Sequence, residues 1–136
     1  MAKANHWIEY ADDWRHAPMA YWVHVQQDGD PWSKAQHYLP PAPTPVAGKG
    51  YPILCVDVGG VTLHFSSAEQ LRECIRVLEM VPLPTTRRLS ALRGEALGPN
   101  SHWLSRLPAS IKSPKARVRL VKVLKQCPGS EDSARL

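Results

Sequence analysis

A chain of 136 residues that is 43% hydrophobic, with a net charge of +5, is the size of a single domain able to bury its own core. No apolar run approaches the about 20 residues that span a bilayer, no basic stretch followed by an apolar run opens the chain as a signal peptide would, and three widely spaced cysteines, Cys55, Cys74 and Cys127, give no disulfide framework. The expectation is a cytoplasmic protein with no membrane segment.

The charge is unevenly placed. Residues 1–50 hold four Lys/Arg against five acids, and residues 51–84 hold two against four. Residues 85–127 hold ten against Glu95 alone. All the excess positive charge lies in the last third, which points to an anionic partner.

Residues 1–38 form an aromatic-rich N-terminal segment. Trp7, Trp14, Trp22 and Trp32 lie there, with Tyr10, Tyr21 and Tyr38. The spacing of Trp7, Tyr10, Ala11 and Trp14 predicts a short helix. Met19 to Gln26 reads as a strand (19–26), with Tyr21, Val23 and Val25 on one face and Trp22 and His24 on the other. Asp28-Gly29-Asp30-Pro31 is a turn. The aromatics are expected to cover the mixed face of a central hairpin at 53–65; the sharper alternative is a stacking platform for bases or a protein partner. Residues 39–50, L-P-P-A-P-T-P-V-A-G-K-G, read as an extended connector.

The best-defined unit follows. Two strand-like runs, Ile53 to Val58 and Val61 to Phe65, flank Gly59-Gly60, which suits a two-residue hairpin turn with positive φ at both glycines. That turn sets Val58 opposite Val61, Val56 opposite Leu63 and Leu54 opposite Phe65, all on one apolar face. The other face pairs Asp57 with Thr62 and Cys55 with His64. A helix over 67–80 comes next. Ser66 with Glu69 is a capping-box pattern, and Ala68, Leu71, Cys74, Ile75 and Leu78 form the stripe that packs on the hairpin. Three further helices are expected: one from Thr85 or Thr86 to Arg93, one from His102 to Leu107, and one from Ser113-Pro114 to about Gln126. Residues 128–136 form a polar tail. The fold class is α+β: a small antiparallel sheet of hairpin 53–65 plus strand 19–26, packed by helix 67–80.

Asp57-Val58-Gly59-Gly60 after an apolar strand resembles the first phosphate-binding loop of actin-like sugar kinases, D-x-G-G-T, with the threonine one place late at Thr62. The resemblance covers about ten residues and implies two large domains around a nucleotide, more than 136 residues supply. A hairpin accounts for the same glycines. Cys55, Asp57 and His64 share a hairpin face, but the chain lacks the C-x-x-C spacing of a structural zinc site. A nucleophilic cysteine there would also need an orienting group. No cofactor or metal is called for.

On a helical wheel the last helix places Ala116, Leu120, Val121, Val123 and Leu124 on one arc. Lys115, Arg119, Lys122 and Lys125 take the opposite arc, with Val118 among them and Arg117 at the edge. Cations fixed at helical spacing suit phosphate neutralisation. The expected function is non-enzymatic binding of nucleic acid, DNA or RNA, through Arg87, Arg88, Arg93, Lys112, Lys115, Arg119, Lys122 and Lys125. The alternative is a protein–protein adaptor working through the aromatic segment.

Overall fold

Gly59 and Gly60 both have positive φ, 58° and 83°, and they close the hairpin of β4 (Tyr51–Val58) and β5 (Val61–Phe65). A side chain at either position would meet nothing within 4 Å, so the demand for glycine is conformational rather than steric. The register is Val58 to Val61, Val56 to Leu63 and Leu54 to Phe65. The computed structural model describes residues 5–85, 88–89 and 102–130.

The third strand of the sheet is not the expected one. Strand β1 (Asn5–Ala11) pairs antiparallel with the other edge of β4, placing Ile8 opposite Leu54 and Trp7 opposite Cys55, for a sheet order β1-β4-β5. The stretch read as a short N-terminal helix is therefore strand. His-Trp-Ile-Glu-Tyr mixes aromatic and β-branched residues that fit a pleated surface, and the open edge of β4 offers backbone partners that an isolated helical turn lacks.

The strand expected over 19–26 is corrected too. Ala20–Val23 forms one helical turn, α1, with Met19 at its N-cap. Met19, Ala20 and His24 are buried and Val23 half-buried, a helical spacing that won over the alternation of Tyr21, Val23 and Val25. Val25–Gln26 (β2) is extended, but it pairs with Tyr38–Leu39 (β3) in a separate two-stranded sheet.

Helix α2 (Ala68–Leu78) starts one residue later than the Ser66–Glu69 pattern implied. Ser67 is the N-cap, its Oγ accepting the Gln70 amide at 3.3 Å. Gln70 at the third helical position reaches back: its Oε1 accepts the Ser66 amide at 3.0 Å and its Nε2 donates to Ser66 Oγ at 2.7 Å. Both oxygens belong to the buried cap, which a solvent-seeking Glu69 would serve poorly. Leu71, Cys74, Ile75 and Leu78 join Leu54, Val56 and Phe65 in the main core.

Thr85 caps a helical segment of which Arg88 and Leu89 are described, Thr85 Oγ1 accepting the Arg88 amide at 3.2 Å. The rest of that expected helix, including Arg87 and Arg93, lies outside the described residues. The helix expected over His102–Leu107 is a shorter 3₁₀ turn, Trp103–Arg106, followed by a second, Ala109–Ile111. Helix α3 (Pro114–Lys125) matches its sequence signals. Ser113 is the N-cap, Pro114 opens the first turn, and Leu120, Val121 and Leu124 are buried.

The aromatic segment builds a second cluster. Trp14, Ala20, Ala35 and Tyr38 are its buried members, with Trp32 and Tyr51 packed against them. The rings of Trp14, Trp32 and Tyr38 meet edge to face at 5.0 to 6.0 Å. Arg15 lies over Trp14 and Tyr38 and is held by Asp13.

Candidate nucleic-acid interface

Helix α3 divides the expected cations by what each side chain meets. Lys115, Arg119 and Lys122 are exposed at i, i+4 and i+7, and none has an ion-pair or hydrogen-bond partner among the described residues. Val118, 71% exposed, sits among them. These three cations occupy one face over about 10 Å of helix axis.

The other candidates behave differently. Lys125 Nζ is 2.5 Å from Glu79 Oε2 across the α2–α3 junction, so its charge is already matched. Lys112 is half-buried, with Nζ 3.5 Å from the Leu104 carbonyl. Arg88 is exposed on the segment after Pro84. Arg87 and Arg93 lie outside the described residues. Arg117, placed by the wheel at the edge of the apolar arc, is 8% exposed. Its Nη1 donates to the Lys112 carbonyl at 2.6 Å, and its Nε is buried with no hydrogen-bond partner among the described residues. The sequence carried a sign of this, since leucine and valine flank Arg117 on the same arc.

Beside this stripe runs a groove of about 830 Å³ between α3, the end of α2 and the Val81-Pro82-Leu83 connection. Sequence reasoning missed it. Its one legible signal was the pair of prolines, Pro82 and Pro84, which stop α2 and turn the chain across its end.

The remaining reactive groups are structural. Burial pushes the thiols of Cys55, Cys74 and Cys127 up, away from the thiolate form that nucleophilic attack needs. His64 pairs with Cys55 across the hairpin but is exposed, and no group of three or more His, Cys, Asp or Glu placed to hold a metal occurs among the described residues. His24 and Ser67 stand in hydrogen-bond range, Nε2 to Oγ at 2.8 Å, as a base and nucleophile would. Yet the Ser67 oxygen accepts the Gln70 amide, and His24 is fully buried, so the pair ties segments together. His102 packs against Trp22 and Trp103, and burial lowers its pKa to about 4. Gly59 and Gly60, matched to a kinase phosphate loop, form the two-residue hairpin turn.

Among the described residues no helix is long and apolar enough to cross a membrane. The chain matches no protein-family model, no curated protein and no solved structure.

Proposed function

We propose that the protein binds nucleic acid, without catalysis, through phosphate contacts from the outer face of α3. The observation that carries this reading is the exposed row of Lys115, Arg119 and Lys122 at helical spacing, unpaired among the described residues. Such a row follows a phosphate backbone without reading base edges, so affinity should exceed sequence preference. Exposed Arg88 is assigned the same role, and Lys112 and Lys125 a lesser one because each already has a partner. A cytoplasmic setting goes with this reading, since Cys55, Cys74 and Cys127 are all free thiols. The adaptor alternative has less to rest on where it was first located. Trp14 and Tyr38 are buried, and the half-buried Tyr21, Trp22 and Trp32 spend their faces on other rings.

The test is a gel shift with mixed-sequence DNA and RNA across salt. Three contacted phosphates predict a slope of log K against log salt of about −3. Reversing the row, K115E/R119E/K122E, should abolish the shift with no change in the thermal melt, because the buried side of α3 is untouched. R72E/R76E is the control, since Arg72 and Arg76 are matched by Glu69 and Glu73. No shift at about 50 mM salt, or equal losses from both sets, refutes the reading.

A further inference from the structure

The groove beside the basic row has a definite shape and chemistry. On α3 it is lined by Pro114, Arg117, Val118, Val121, Lys122 and Lys125. That is one helix face read at steps of three and four, from the first residue of α3 to the last. The groove is therefore a trough about 16 Å long, the length of three helical turns, rather than a rounded pocket. Its opposite bank is Leu78, Val81 and Leu83. Val81 is 89% exposed and Val118 71%, so large apolar side chains face water across the trough.

Charge narrows what can lie there. Lys122, Lys125 and Arg117 are the cations of the trough, and Glu79, its acid, is already held by Lys125. A second copy of this chain would bring its own basic helix against the first, in a protein of net charge +5. Arg117 adds a fixed donor. Arg117 as a residue is more than nine-tenths buried, anchored through Nη1 to the Lys112 carbonyl, and its Nε is buried with no partner among the described residues. A buried donor of this kind is satisfied by a carboxylate or a carbonyl.

We propose that this trough receives one amphipathic helix of about three turns from an acidic protein partner. Apolar side chains at i, i+3 or i+4, and i+7 lie on Val81, Leu83, Val118 and Val121, as in helix-in-groove recognition. Its Asp or Glu side chains face Lys122, while Lys125 stays with Glu79, and one acceptor reaches Arg117. This site shares Lys122 with the phosphate-binding row, while Lys115 and Arg119 lie outside the trough.

The probe is a fluorescein-labelled synthetic helix of fourteen residues, with leucine at i, i+3 and i+7 and glutamate on the flanks, titrated into the full chain by anisotropy. A scrambled isomer of the same composition is the control. The expected result is saturable binding at least tenfold tighter than that of the isomer. V81E should remove that difference, since a carboxylate at an exposed position of the apolar bank repels the glutamates without touching the core. V81E should leave the gel shift of DNA or RNA unchanged, and K115E/R119E should do the reverse. Equal binding of the two peptides overturns the proposal. So does loss of nucleic-acid binding in V81E, which would make the trough part of that interface. A dimer by analytical ultracentrifugation that V81E dissolves also overturns it, in favour of a second copy as the occupant.

Discussion

Ser67 shows how much one hydroxyl can hold. His24 Nδ1 lies 2.9 Å from the Pro40 carbonyl, which can only accept, so Nδ1 carries the proton and Nε2 is bare. The Ser67 hydroxyl therefore donates to Nε2, while its oxygen accepts the Gln70 amide. His24 and Ser67 together thus join the end of α1, the 39–50 connector and the first turn of α2. Ser67→Ala removes the cap, worth about 1 kcal/mol, and leaves a buried ring nitrogen unpaired, a further cost of about 1–3 kcal/mol. A total loss of about 2–4 kcal/mol is expected in urea melts. A loss under about 1 kcal/mol would show that the imidazole finds another partner.

At the scale of elements, the β4–β5 hairpin depends on its turn. Gly60 has φ 83° with open space around its Cα, so a substitution there tests backbone conformation alone. Gly60→Val should cost about 1–3 kcal/mol, because a β-branched residue tolerates positive φ poorly. Gly60→Asn should cost less, since asparagine enters that region more readily. Thermal melts of the two variants would decide it, and equal losses would mean that the turn changes type rather than straining. The hairpin was legible because its register follows from two glycines and a period of two, both local. Strand β1 was not legible. Its spacing fits a helix as well as a strand, and the choice is made by the free edge of β4, more than forty residues away in sequence.

Two histidines couple the whole molecule to pH. Burial lowers the pKa of His24, and that of His102 to about 4. A histidine whose folded-state pKa is depressed binds protons more readily when the chain is unfolded. Its stabilisation is fully present above the unfolded value of about 6.5 and is lost as pH falls through the folded one. The melting temperature should therefore fall from pH 7.5 to pH 5, before most carboxylates titrate. His102 Nδ1 accepts the Leu104 amide at 3.0 Å, a role that asparagine can take over as an N-cap. H102N should thus melt lower at pH 7.5, having lost the contacts with Trp22 and Trp103, but show a smaller drop towards pH 5. An unchanged drop would remove His102 from the account.

By itself the sequence determined the elements whose causes are local: the Gly59-Gly60 turn and its register, the stripe of α2, and the Ser113-Pro114 start and two-sided character of α3. Each rests on side chains within a turn or two of one another, where spacing and backbone preference decide. The state of the cations was decided only by the tertiary structure. Lys125 is matched by Glu79 because α2 ends beside α3, and Arg117 is buried because packing closes over the edge of the apolar arc. The trough is lined jointly by α3, the end of α2 and Val81-Pro82-Leu83. Its walls come from segments more than thirty residues apart, and no local pattern encodes a space between them.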